Sequence, residues 1–277
     1  MRRDNLLDNQ TPVRGDKSLV AVITGTSAGL GRALAHCLTA NGVLVIGLSR
    51  SVPGLEKTAR DCAAGRFIPL PVDISKPDLV RSACSRIEAM VGTIDILINN
   101  AAIKREHPFD GISIDGICDH VQTNCLGPMH MTAAALRMMA TTSRGRIINV
   151  GSLAGDDPGP GDMGYAVSKA GARAFARSLA VELIRTHPHV TVSEWLPGVL
   201  ATDMGEPHGI PPAEAALWGT ALALDFNPRL HGRTFLRNME LEGPRSKLRR
   251  VAESVRLMPA RMLYRINSDG LRRASLA

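Results

Sequence analysis

The sequence predicts an α/β protein: one doubly wound parallel sheet of about seven strands, with helices on both faces. Short apolar runs rich in Val, Ile and Leu recur along the chain, and stretches of helical length and pattern separate them. Strands that are apolar at every position are buried on both faces, which is the condition of a parallel sheet. The 277 residues are 44% hydrophobic but only 3% aromatic, so aliphatic side chains must fill the core of what length alone suggests is one domain.

The elements follow in order. Residues 19–24 (LVAVIT) form the first strand and end in glycines. Residues 30–40 form a helix, stopped at Asn41 and Gly42. Residues 43–48 (VLVIGL) are the second strand, and a helix over 51–64 follows a turn at Pro53 and Gly54. A strand over 67–72, a helix over 78–90 and a strand over 94–98 come next. One long helix is predicted over 117–140, then a strand over 146–150. A strong helix over 164–185, a strand over 190–196, a helix over 212–224 and a strand over 232–236 complete the alternation. Residues 156–161 (DDPGPG) and 202–212, rich in Gly and Pro, read as loops.

The formal charge is +7, but residues 245–277 alone carry that excess and the body is close to neutral. The chain therefore divides into a polar arm over 1–17, one domain over 18–243 and a basic extension over 244–277. Few aromatics and a neutral body argue against nucleic-acid binding. Cys37, Cys62, Cys84, Cys118 and Cys125 are scattered without CxxC spacing, so neither disulfides nor a zinc site is expected. No metal is expected from the eight histidines either; His187 and His189 flank Pro188 and read as a helix end. Neither a membrane span nor a signal peptide is visible, so the cytoplasm is the expected location.

The first strand runs into Thr24-Gly25-Thr26-Ser27-Ala28-Gly29-Leu30-Gly31. Glycines allow a tight turn and close approach of the backbone to a pyrophosphate, while the N–H groups opening the next helix face the anion. The second strand ends at Ser49-Arg50, and no Asp or Glu occurs from Gly42 to Leu55. An acid near that point would bind the ribose 2′-hydroxyl of NAD; an arginine favours the 2′-phosphate of NADP. NADP(H) is therefore preferred over NAD(H).

Tyr165 and Lys169, four apart in a predicted helix, share one face. A free phenol, with its pKa about 10, is a poor base at neutral pH, and a neighbouring ammonium stabilises the phenolate. Such a phenol can give a proton to a developing alkoxide or take one from an alcohol.

In their order along the chain these residues resemble the classical short-chain dehydrogenase/reductase family, with its Rossmann-like fold. TGTSAGLG matches the family's TGxxxGxG turn. Asp73, with Ile74 after it, follows the third strand where the family has an Asp near the adenine. Asn99-Asn100-Ala101-Ala102 resembles NNAG, with Ala102 in place of the usual Gly. Asn124 falls where the catalytic Asn lies, Ser152 ends the fifth strand thirteen residues before Tyr165, and Pro197-Gly198-Val199 with Thr202 resembles PGxxxT. Ser193 stands where Asn is frequent, a change expected to alter a structural hydrogen bond. The resemblance spans about 18–235.

The resemblance implies an NADP(H)-dependent oxidoreductase that interconverts a carbonyl of ketone, quinone or 3-oxoacyl type and an alcohol. Tyr165 would pass the proton, Ser152 would hold the substrate oxygen, Lys169 would lower the tyrosine pKa and hold the nicotinamide ribose, and Asn124 would keep a water linking Lys169 to solvent. Gly25, Ser27, Gly29, Leu30, Gly31, Ser49, Arg50, Asp73, Ile74, Asn100, Ala101, Pro197, Gly198, Val199 and Thr202 would line the cofactor, with Tyr165 and Lys169. Residues 154–163 and 200–211 would wall the substrate pocket, and the acids Asp156, Asp157 and Asp162 in the first could favour a polar or cationic substrate. A homodimer or homotetramer is implied, pairing helices 117–140 and 164–185. Two other readings stand beside this one: a dinucleotide-binding scaffold or sensor without catalysis, and a membrane-associated enzyme with a lipid-like substrate. The second draws on the extension, where Leu248, Val251, Val255, Met258 and Met262 form a helical apolar stripe flanked by arginines and interrupted by Pro259. That stripe could pack on protein, lie on an anionic membrane or stay disordered.

Overall fold

The computed structural model describes residues 18–106, 114–242 and 263–272. The apolar stripe of the extension and the arm over 1–17 lie outside the described residues. Eight strands make one sheet: β1 (Val20–Thr24), β2 (Leu44–Ser49), β3 (Phe67–Pro71), β4 (Ile96–Asn99), β5 (Gly145–Val150), β6 (Val190–Leu196), β7 (Arg233–Leu236) and β8 (Met239–Glu240). Their order is β3-β2-β1-β4-β5-β6-β7-β8. The first seven are parallel and β8 returns antiparallel to β7. The predicted strands all form, and a two-residue hairpin strand is added that is too short for any periodicity to announce.

Alternate residues of each strand feed two cores. Val20, Val22, Ile46, Leu48, Leu97, Ile147 and Val192 face α3 (Pro77–Val91), α5 (Gly127–Met139) and α6 (Met163–Thr186). Ala21, Ile23, Val45, Ile96, Ile98 and Trp195 face α1 (Gly29–Ala40), α2 (Val52–Asp61) and α7 (Pro212–Leu224). This is the two-sided burial that unbroken apolar strands require.

The long helix predicted over 117–140 is not continuous. It divides into α4 (Ile114–Val121), a π-helical turn over Gln122–Leu126, and α5. Pro128 explains the break: it has no N–H, so the Asn124 carbonyl loses its i+4 donor. The helix widens instead, and the Gly127 N–H reaches back five residues to the Gln122 carbonyl. Such turns recur at functional sites, and Asn124 sits inside this one.

Beneath the sheet Arg146 is fully buried and donates to the carbonyls of Leu222 (3.0 Å), Ile147 and Thr191 and to Ser193 Oγ (2.9 Å). Ser193 in turn donates to the Leu230 carbonyl at 2.7 Å. The serine thus holds the guanidinium of β5 to the segment before β7, the structural role expected of that substitution. Burial lowers the Arg146 pKa to about 9, with Asp225 opposing.

The described part of the extension packs on the body. Arg265 bridges Met239 of β8, and Ile266 is buried in the α1–α7 core. The Tyr264 hydroxyl donates to Asp225 at the end of α7. Farther on, the Arg272 N–H donates to Asn41 Oδ1 (3.0 Å) and Asn41 Nδ2 donates back to the Arg272 carbonyl (3.1 Å), at the C-terminus of α1.

Candidate active site

The strand order reverses between β1 and β4, and a crevice opens there beyond the strands' carboxyl ends. Its two sides are laced together. Thr24 Oγ1, at the end of β1, accepts from the N–H groups of Asn100 and Ala101 after β4, each at 3.0 Å. Asn100 Nδ2 donates to the Thr24 carbonyl at 2.9 Å.

The glycine turn has the shape a dinucleotide needs. Gly25 has φ +77° and Gly29 φ +53°, in the left-handed region that disfavours other residues. A Cβ at Gly31 would stand 2.1 Å from the Gly25 carbonyl oxygen, so nothing larger lets α1 start so close to the turn. No side chain caps the N-terminus of α1 and no acid lies in its first turn. Its N–H groups are thus left for an anion, and the residues present fit a pyrophosphate. Thr202, across the crevice, would be 3.3 Å from a Cβ on Gly29, so the loop after β6 closes over this turn.

Beside β2, Ser27 and Ser49 hydroxyls bond at 2.7 Å, tying the turn to the end of that strand. Arg32, which belongs to no sequence motif, donates to the Ser27 carbonyl and to Thr58 Oγ1 and braces the turn from below. Exposed Arg50 lines a cavity of about 410 Å³ with Val72, Asp73, Ser82 and a second guanidinium, Arg86 of α3. Asp73 Oδ1 accepts from the N–H and the hydroxyl of Ser75 (3.0 and 2.7 Å), while Ile74 is buried. Ala102 is no obstacle: among the described residues only Arg237 is a non-glycine with positive φ.

Ser152 follows the carboxyl end of β5, and Lys169 of α6 reaches the same strand end beside Tyr165. Ser152 is extended and caps a short 3₁₀ turn by accepting from the Ala154 N–H at 3.2 Å. Tyr165 and Lys169 lie on α6, with Lys169 Nζ 5.7 Å from the phenol ring centroid. Lys169 is almost fully buried and donates to the Val150 carbonyl at 3.0 Å, which fixes its ammonium beside the strand end. Glu194 lies buried beneath Gly151, where burial raises its pKa against the opposing charge of Arg173, 3.2 Å away.

The segment after β4 is held over this cluster by side chains from the broken helix. Asn124 accepts from the Ile103 N–H and donates to the Ile103 carbonyl, both at 2.8 Å, and donates to Ser168 Oγ at 3.0 Å. Buried His120 accepts at Nε2 from the Arg105 N–H (3.1 Å), with Nδ1 2.7 Å from the Gly116 carbonyl. Held this way, Lys104 brings its Nζ to 5.9 Å from the Tyr165 ring centroid, so two ammonium groups flank one phenol. Lys104 is not expected at the site from the sequence; its spacing from Tyr165 belongs to no local pattern.

The acids of the 154–163 loop are largely matched by cations. Asp156 pairs with Arg173, and Asp162 pairs with Lys104 at 3.3 Å. Leu153 and Met163, before and at the start of α6, and Val199 and Met204, after β6, are large apolar side chains left exposed. The loop after Pro197 and Gly198 is closed on itself: Leu200 bridges Ile210, and the Ile210 N–H donates to the Val199 carbonyl at 2.8 Å. Among the described residues no group of His, Cys, Asp and Glu could hold a metal, and the five cysteines are free thiols.

Comparison with known proteins identifies the family. A family model described as short chain dehydrogenase matches residues 19–210. The 3-oxoacyl-[acyl-carrier-protein] reductase FabG of Haemophilus influenzae is 35% identical over 190 residues, 68% of this chain and 76% of that protein. The reductases of the same name from Escherichia coli K12 and Pseudomonas aeruginosa are 34% and 36% identical over 185 and 187 residues, each covering 67% of this chain and 75% of the relative.

Proposed function

Because the chain belongs to the short-chain dehydrogenase family and is an NAD(P)-dependent oxidoreductase of carbonyl and CH–OH groups, we propose that it is an NADP(H)-dependent ketoreductase using Tyr165 as proton donor. The observation that supports this reading most is Lys169 Nζ, set 5.7 Å from the Tyr165 ring centroid and bonded to the Val150 carbonyl at the end of β5, two residues before Ser152. The nicotinamide cofactor supplies the hydride. Tyr165 gives its proton to the substrate oxygen, and Ser152 Oγ holds that oxygen in line with the phenol. Lys169, locked to the Val150 carbonyl, keeps positive charge beside the phenol as it loses its proton. Asn124 supports this chemistry by fixing the Ile103 peptide.

Arg50 supports the preference for NADP(H). It borders the cavity beyond β2 and β3 with Arg86, so a 2′-phosphate there would meet two guanidinium groups. The relatives' printed names point to a 3-oxoacyl type of ketone. Assembly as a homodimer or homotetramer through α4–α6 completes the reading. The test is NADPH oxidation followed by absorbance against ketones, quinones and 3-oxoacyl thioesters. Turnover of a ketone class with NADPH supports the proposal, and tight cofactor binding without turnover of any class would leave the scaffold reading in its place.

A further inference from the structure

Lys104 reaches the site from the segment after β4, not from the helix that carries Tyr165 and Lys169. Its ammonium is 2.8 Å from Glu106 Oε1 and 3.3 Å from Asp162 Oδ1. The two carboxylates differ. The Asp162 side chain is 13% exposed and directly precedes α6, so it holds Lys104 against the helix that bears the phenol. The Glu106 side chain is 66% exposed. A carboxylate in that position gains little from pairing in water and is easily displaced. The Lys104 side chain is itself 24% exposed, so its ammonium is open to a ligand on the side Glu106 occupies. The backbone on either side of it is held by Asn124 through Ile103 and by His120 through Arg105. The cation is therefore built into place.

We propose that Lys104 is a specificity-determining residue that binds an anionic group of the substrate, a carboxylate set a carbon or two from the reacting carbonyl. Glu106 occupies that place when no substrate is bound. The proposal rests on the ketoreductase reading and narrows its substrate class to oxo acids. With the ketone oxygen on Tyr165, the Lys104 ammonium stands 5.9 Å from the centroid of the same ring, a separation that a small substrate spans. Asp156 is paired with Arg173, and Asp162 keeps its own contact with Lys104 while the substrate carboxylate takes the place of Glu106.

The experiment compares 3-oxobutyrate with its methyl ester, using the full chain and NADPH. The wild type should prefer the acid in kcat/KM. K104M should lower the acid-to-ester ratio about tenfold or more through KM for the acid, since a charge-assisted contact is lost. K104R should keep the ratio, and E106Q should lower KM for the acid by removing its competitor. Equal losses on acid and ester in K104M would assign Lys104 a purely structural role and overturn the proposal. Butyrate titrated onto the protein–NADPH complex, followed by NADPH fluorescence, decides the matter without turnover. Binding lost in K104M and retained in K104R supports the proposal; equal binding in K104M refutes it. Ketone panels without any turnover would refute the ketoreductase reading, while the butyrate titration would still decide whether Lys104 binds a carboxylate.

Discussion

Asn124 grips Ile103 by both halves of its backbone, accepting from the N–H and donating to the carbonyl at 2.8 Å each. A side-chain amide here takes the place of a neighbouring strand. Replacing it leaves the N–H and carbonyl of Ile103 short of a partner in a partly buried place, at a cost of about 1–3 kcal/mol. Asn124→Ala should therefore lower the urea midpoint and, by freeing the segment that carries Lys104, also raise KM for an oxo acid. An unchanged midpoint would show that the grip contributes nothing to folding.

Arg50→Asp should weaken NADPH binding and relieve the bias against NADH, since a carboxylate repels a 2′-phosphate and accepts from a 2′-hydroxyl. Dissociation constants for both cofactors measure this. A wild-type preference for NADH would reverse the cofactor proposal.

Tyr165→Phe should abolish turnover and leave NADPH affinity nearly intact, because the phenol's proton matters only as the carbonyl is reduced. Lys169→Ala should harm both, since its ammonium is built against the Val150 carbonyl at the crevice. Near-normal rates in Tyr165→Phe would mean that another group gives the proton.

On α6, Val167, Val181 and Ile184 are exposed, with the small residues Ala170 and Ala174 on the same side. That face suits close packing against a second copy. Light scattering should give two or four times 29.6 kDa, and Val181→Asp should reduce it. A wild-type mass of one chain would remove the assembly from the proposal.

His36 is buried in α1 and its Nε2 has no hydrogen-bond partner. Burial holds its pKa below the ordinary 6.5, against the pull of Asp61. The folded chain then binds fewer protons than the unfolded chain, so this contribution to stability is complete above the ordinary value and is lost as pH falls below it. Melting temperature should drop between pH 7 and pH 5, and His36→Leu should flatten that dependence. An equal drop in both proteins would place the titrating group elsewhere.

What can be read from the sequence is local. A strand, a glycine turn and a helix are contiguous, so Gly25, Gly29 and Gly31 announce themselves; so do Tyr165 and Lys169, whose separation is one helical turn. The interruption at Asn124 has a signal in Pro128, outweighed by the apolar pattern on either side of it. Lys104, His120 and Arg86 have none, because what makes them neighbours of the site is packing between segments far apart in the chain. The same holds for β8 and Arg265, whose pairing is a matter of contact across more than twenty residues and not of any repeat.

The strip from Leu263 to Arg272 has a consequence for how molecules of this protein meet one another. Beside β8 the sheet would otherwise present unpaired amides and carbonyls, a template on which another chain's strand could grow. The Ile266 N–H donating to the Asn238 carbonyl, the Glu240 N–H donating to the Tyr264 carbonyl and the bridge from Arg265 occupy that border, and the paired bonds between Arg272 and Asn41 fasten the far end to the first helix. The end of the chain thus acts as a selvedge. A chain shortened before Leu263 would keep every residue assigned here to chemistry and yet be prone to lateral association through its frayed margin.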